Sequence, residues 1–225
     1  MDSEAVHAAP LFETLDEETT QALRAAMVEV RMRRGETLFN EGETGDRVYI
    51  LTEGKIKLGH TAPDGRETII AVLGPGEMLG ELALFDPGPR AATATAIAPT
   101  RLLELRHDDL LTFLRTRPEL AAQLLQSLAR RLRRTNAALA DLVFSDVPGR
   151  VAKALLDLAK RFGTATDEGI RVTHDLTQEE LAQLVGASRE TVNKALAEFG
   201  NRGWIRLEGR AVLIIEPARL ERRAR

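Results

Sequence analysis

The 225-residue chain contains no cysteine. That absence excludes disulfides, thiolate catalysis and cysteine-ligated iron–sulfur clusters together. No stretch approaches the ~18 consecutive apolar residues of a membrane-spanning helix, so none is expected. The first ten residues, MDSEAVHAAP, lack a basic n-region and an apolar h-region. They read as no secretory signal, and the expected compartment is the cytoplasm by default. G-x-S-x-G, H-E-x-x-H and Walker patterns are missing as well, which argues against an enzyme. The four histidines, His7, His60, His107 and His174, are scattered along the chain. They read as surface or loop residues rather than metal or haem ligands.

What is present is enough apolar residue (44%) for a substantial core, and a net charge of only −3. The charge is unevenly placed. Residues 1–117 carry 13 Lys and Arg against 20 Asp and Glu, a balance of −7; residues 118–145 and residues 146–225 each stand at +2. An acidic first part is thus set apart from a mildly basic remainder. Three segments follow: a domain over 1–117, a helix over 118–145, and a second domain over 146–225.

The first segment opens on a helical pattern over 11–27. Short apolar runs then alternate with turn signals: Val48–Leu51, Ile56–Leu58, Thr68–Leu73, Thr93–Ile97 and Leu102–Leu105. This spacing predicts an antiparallel barrel or jelly roll, with PDGR at 63–66 as a hairpin turn. From Asp108 the pattern becomes helical. A long helix is expected from Pro118 to Val143, with Leu125, Leu128, Leu132, Thr135, Leu139 and Leu142 alternating in steps of three and four. That is a coiled-coil seam of about two and a half heptads, which fits either a parallel dimer or an amphipathic helix lying on its own domain. SDVPG at 145–149 reads as a helix break and hinge, followed by a helix over Arg150–Phe162 and a loop.

Residues 177–200, TQEELAQLVGASRETVNKALAEFG, are the most informative stretch. Thr177 can cap a helix with Glu180 closing a capping box. Gly186 ends that helix, and Ser188 caps the next. In the second helix Val192, Ala195, Leu196 and Phe199 form an apolar stripe, with Arg189, Glu190, Asn193 and Lys194 off it. The arrangement suits a helix-turn-helix reader of double-stranded DNA: Arg can donate two bonds to guanine, and Glu can accept from cytosine. Packed helices with a solvated face are the plainer alternative. Beyond it, Trp204–Leu207 and Ala211–Ile215 flank Glu208-Gly209-Arg210 and read as a β-hairpin wing. The terminal RLERRAR reads as a solvated basic end.

The second informative stretch is GPGEMLGELALFDPGPRAATATA at 74–96. Gly80 permits close backbone approach, a helical turn near Glu81–Leu84 would aim N–H groups at an anion, Arg90 can supply a charged fork, and Glu81 can accept from a sugar hydroxyl. The glycine spacing does not match the dinucleotide fingerprint. Singly these signals are compatible with turn chemistry and a surface ion pair.

Taken together, this cassette, ARRLRRTN at 129–136, FSDVPGRVAKALLDLAKRFG at 144–163 and HDLTQEELAQLVGASRETVNKALA at 174–197 resemble the CRP/FNR superfamily, most closely its actinobacterial GlxR-type cyclic-AMP receptor proteins. The resemblance covers nearly the whole chain. It implies an α+β protein: an N-terminal antiparallel jelly roll that binds cyclic nucleotide, a long dimerisation helix, and a C-terminal winged helix-turn-helix. Such a protein is a homodimeric, cyclic-AMP-responsive transcription regulator, with palindromic GTGA-N6-TCAC-like operators and RNA polymerase as partners and no metal or haem. The resemblance places cyclic AMP at Leu79, Gly80, Glu81, Leu82, Arg90 and Ala91, with Thr135 and Asn136 at the adenine. It places DNA at Thr177, Ser188, Arg189, Glu190, Thr191 and Lys194. Position 91 is normally a hydroxyl residue in cyclic-AMP binders, and here it is alanine. A ligand-independent regulator, or one answering another effector, is therefore the alternative.

Overall fold

The structure, a computed structural model, describes residues 17–86 and 88–224, with only the backbone of residues 17–20 and of Leu84. The start of the helix expected over 11–27 and the N-terminal decapeptide lie outside the described residues. The chain divides into two compact units. One holds residues up to His60 together with Ile70–Arg133, and the other holds Thr61–Ile69 together with residues from Arg134 on.

Apart from Thr61 and Glu67–Ile69, the first unit holds α1 (Glu17–Ala26) and then eight strands: β1 (Val28–Met32), β2 (Thr37–Phe39), β3 (Arg47–Glu53), β4 (Ile56–Thr61), β5 (Glu67–Leu73), β6 (Met78–Leu79), β7 (Thr93–Ala96) and β8 (Thr100–Arg106). A single helical turn, α2 (Leu82–Phe85), follows β6, and α3 (His107–Thr116) follows β8. The strands form two four-stranded sheets ordered β1-β8-β3-β6 and β2-β7-β4-β5. β8 pairs antiparallel with β1 and β3, β6 with β3, and β7 with β2 and β4. Neighbours remote in sequence are the mark of a jelly roll.

Two apolar layers explain why β3 reads as an unbroken apolar run. Its successive side chains point to opposite faces, and both faces are covered. Tyr49 and Leu51 enter the layer between the sheets with Phe39, Leu58, Leu79 and Leu102. Val48 and Ile50 pack outward against Leu23, Leu110, Leu120 and Leu124 from the helices. The strands β1, β2 and β6, which the apolar runs did not single out, are short; the first is also charged at alternate positions.

The long helix α4 spans Pro118–Phe144. Leu120 and Leu124 are buried and Leu128 half-buried, whereas Leu125, Leu132, Leu139, Leu142, Val143 and Phe144 each expose half or more of their surface. The break before α5 (Val147–Phe162) is narrower than the SDVPG pentapeptide. Pro148 sits in the first turn, where its missing N–H costs nothing, and the Asp146 side chain caps that turn by accepting from Gly149 N at 2.9 Å.

In the second unit β9 (Gly163–Thr166), β10 (Gly169–Thr173), β11 (Ile205–Glu208) and β12 (Ala211–Ile214) form one sheet ordered β11-β12-β10-β9. Helices α6 (Gln178–Val185), α7 (Arg189–Asn201) and α8 (Pro217–Arg223) complete it. Two expectations are corrected here. The segment after α5 is not a loop: β9 and β10 pair around Asp167-Glu168 and extend the wing. Its period was unreadable because every residue of β9 is exposed. The basic C-terminus is not a solvated end either, since Leu220 is fully buried and Arg223 Nη2 donates to Asp146 Oδ2 at 2.6 Å. Among the described residues no helix is long and apolar enough to cross a membrane.

Candidate ligand pocket and nucleic-acid interface

The pocket forms where β6 ends. Gly80 has φ +85°, a left-handed conformation that favours glycine. A Cβ there would lie 2.5 Å from Arg90 Nη1 and 2.7 Å from Arg47 O. The absence of a side chain lets the backbone pass close to the guanidinium. Glu81, next in the chain, is 2% exposed. Its Oε1 accepts from Arg131 Nη1 at 2.8 Å, while Oε2 has no partner. Burial pushes the Glu81 carboxyl above the usual carboxylate range, against the pull of Arg131, a backbone hydrogen bond and Arg90.

Arg90 is 5% exposed. Nη1 donates to Gly80 O at 3.1 Å and Nη2 to Arg47 O at 2.9 Å. The guanidinium carbon stands 4.4 Å from the Phe39 ring centroid and 6.0 Å from that of Tyr49, within cation–π range. Nε, buried, has no partner. Around these groups lies a concavity of about 380 Å³, part of it open to solvent. Leu58, Leu79, Ala91 and Ala92 give it apolar walls. Leu82 also lines it and starts α2, half exposed.

Leu79, Gly80, Glu81, Leu82, Arg90 and Ala91, grouped by the sequence reading, all line this one concavity. That reading missed Arg131 and Phe39. A signal for Arg131 existed: in steps of four, four and three it continues the stripe of Leu120, Leu124 and Leu128, and a cation on an inward stripe calls for a buried carboxylate. Thr135 and Asn136 are exposed on the following turn of α4, outside the residues that line the concavity.

The second candidate surface is built by two caps. Thr177 Oγ1 accepts from Glu180 N at 3.1 Å, and Thr177 N donates to Glu180 Oε2 at 2.8 Å. This is the expected capping box. Gly186 closes α6 at φ +68°, and Ser188 Oγ accepts from Thr191 N at 3.2 Å to start α7. Burial of Leu181, Ala182, Val185, Val192, Ala195, Leu196 and Phe199 fixes the two helices together. Arg189, Glu190, Thr191 and Lys194 are left exposed on one end of α7. Lys194 Nζ pairs with Glu190 Oε1 at 2.7 Å. A pair this exposed adds little stability, so both groups can exchange it for other partners. Thr177 and Ser188 use their hydroxyls as caps.

Sequence reading missed Arg150 as well. It donates from Nη1 to Ser145 O, from Nε to Val185 O and from Nη2 to Gly186 O at 2.8, 3.0 and 3.1 Å. One guanidinium thereby satisfies carbonyls at the end of α4 and at the turn before α7.

A jelly roll with a paired cation and carboxylate in its pocket, followed by a winged helix-turn-helix, defines the class of transcription regulators. The chain belongs to the CRP/FNR family: the family described as "Cyclic nucleotide-binding domain" matches residues 29–117, and "Crp-like helix-turn-helix domain" matches residues 149–223. It is 58% identical over 217 residues to the CRP-like cAMP-activated global transcriptional regulator of Mycobacterium tuberculosis, across 96% of this chain and 97% of that one. It is 36% identical to the cyclic AMP receptor protein of Thermus thermophilus, across 94% and 95%. A crystal structure of a CRP-family transcriptional regulator, also from Thermus thermophilus, matches with a TM-score of 0.74 at 31% identity, over 87% of this chain and 96% of that one. The family consists of DNA-binding transcriptional regulators, not enzymes.

Proposed function

We propose that this protein is a cytoplasmic, cyclic-AMP-responsive transcription regulator that binds palindromic GTGA-N6-TCAC-like operators as a homodimer and acts on RNA polymerase. One observation carries the ligand half of this reading. Two residues that line the same concavity each keep a buried polar atom without a partner: Arg90 its donor Nε and Glu81 its acceptor Oε2. Buried polar groups are almost always hydrogen-bonded. A molecule offering both an anionic oxygen and a hydroxyl satisfies the two at once, and a ribose cyclic phosphate has both.

In this reading Arg90 takes the cyclic phosphate and Glu81 the ribose hydroxyl, while Gly80 lets the sugar approach the backbone. Leu79 and Leu82 supply apolar contact, and Thr135 and Asn136 meet the adenine. Ala91 contributes its backbone N–H alone. The missing hydroxyl forgoes one hydrogen bond, worth about 0.5–1.5 kcal/mol, which leaves the charged contact at Arg90 in command. Residues 1–117 form the sensor, 118–145 the dimerisation helix and 146–225 the DNA-binding domain.

The exposed leucines of α4 support the dimer: an apolar stripe of this length in water is what a second copy of the helix would cover. Two copies of α7 then stand about 34 Å apart, one turn of DNA. Arg189 reads guanine, Glu190 cytosine, and Lys194 a neighbouring base or phosphate, with Thr177, Ser188 and Thr191 at the backbone. Cyclic AMP shifts the dimer toward this arrangement by its differential affinity for the two states.

Calorimetry with cyclic AMP tests the pocket. The wild type is expected to bind, and Arg90→Leu to lose binding with its circular dichroism unchanged. Wild-type binding by Arg90→Leu would refute the assignment. A wild type that does not bind would favour the ligand-independent reading that Ala91 raises.

A further inference from the structure

The loop between β2 and β3, residues 40–46, is tied to Arg90. Arg90 N donates to Glu43 O at 2.8 Å, and Gly42 N donates to Arg90 O at 2.9 Å. The same loop lays Gly45 on the guanidinium. A Cβ at Gly45 would overlap Cζ, Nε and Nη2 of Arg90, and these three atoms are the nearest it would meet. Gly45 is not among the glycines with positive φ, so its backbone does not call for glycine. What a side chain there would displace is the guanidinium itself.

The remaining sides are also defined. Phe39 presents its ring 4.4 Å from Cζ. Gly80 O and Arg47 O each accept one terminal nitrogen. An arginine side chain has several rotatable bonds and loses much entropy when held. Here both terminal nitrogens are engaged and Nε is left as the donor without a partner.

The geometry points to Gly45 as a positioning residue for ligand recognition: with Phe39 it forms a slot that holds the Arg90 guanidinium at the concavity Arg90 lines. The inference rests on the cyclic-AMP reading for its ligand but not for its geometry. Gly45 touches no ligand itself and acts only through Arg90. A methyl group at 45 requires the guanidinium to shift, and Nη2, which donates to Arg47 O, is among the atoms it would displace.

The test uses the full chain in two measurements. Without ligand, the Arg90 side-chain Nε–H resonance is expected in the wild type to be protected from exchange and displaced by the Phe39 ring. In Gly45→Ala it is expected to move toward the position of an exposed arginine. With cyclic AMP, calorimetry is expected to show Gly45→Ala weakened roughly ten- to hundredfold, the span of one lost charge-assisted hydrogen bond, with melting unchanged. Phe39→Leu, the second variant, is expected to move the same resonance. Wild-type affinity in Gly45→Ala, or an affinity loss with the Arg90 resonance unmoved, overturns the inference. If the wild type binds no cyclic AMP while the resonance shifts as described, the slot stands and the ligand reading is what fails.

Discussion

Arg90 and Glu81 owe their chemistry to burial rather than to identity. Each is a common charged residue that lines the same concavity, yet each keeps one polar atom buried and unbonded. Leaving such atoms unpaired costs about 1–3 kcal/mol apiece, a cost that a complementary ligand removes on binding. On α7 the logic is reversed, because Arg189, Glu190 and Lys194 are solvated, and under the proposed function their free energy is realised only against base edges. Arg189→Ala is therefore expected to leave folding untouched and to cost about 1–3 kcal/mol of discrimination between operator and scrambled duplex. Equal selectivity in variant and wild type, measured by competition binding, would remove Arg189 from that role. Gly80, Glu81 and Arg90 were legible because they fall within eleven residues of each other. Phe39 was not, because its part is assigned by a strand far away in sequence, whereas Arg131 left a trace only in the period of its helix.

At the scale of elements, caps decide where helices begin. The S/T-x-x-E pattern at Thr177 and the GAS turn were readable in advance, since each needs only local residues. The cap of α5 is different. Asp146 accepts from Gly149 N, a local contact, and from Arg223 of α8, 77 residues on, so half of it is set by tertiary structure. The Arg223 hydrogen bond first, then the Gly149 N–H, hold the Asp146 carboxyl below its ordinary value. A depressed carboxylate stabilises the fold above its unfolded-state pKa, near 4, and that contribution is lost as the pH falls through the lowered folded-state value. Asp146→Ala is expected to lower stability at pH 7 by about 0.5–2 kcal/mol, the usual worth of an N-cap, and the gap from wild type is expected to close on acidification below pH ~4. Trp204, the chain's one tryptophan, packs on Phe199 in the same unit at 5.5 Å and reports that transition by fluorescence. A gap that widens toward acid would contradict the assignment. The β9–β10 hairpin and α8 escaped the sequence reading because neither shows a clean period: β9 has no buried residue, and α8 buries one leucine within a run of charges.

At the scale of the molecule, the charge segregation visible in the sequence parallels a division of labour. An acidic jelly roll holds a pocket lined by Arg90 and Glu81, and a mildly basic unit carries the helix-turn-helix. The fold class and the order of the segments were legible because apolar period, turn residues and caps agree along the chain. The pairing of two copies is argued from the exposed leucines of α4, and the switch from the chemistry of the pocket.

Operator affinity as a function of ligand depends on both the pairing and the switch. The decisive measurement is fluorescence anisotropy of a GTGA-N6-TCAC duplex and a scrambled control, titrated with protein at fixed salt, with and without saturating cyclic AMP. Cyclic AMP is expected to tighten operator binding by about 5–150-fold, the usual range of allosteric coupling, and to leave the scrambled duplex behind. The same operator affinity in both conditions would contradict it.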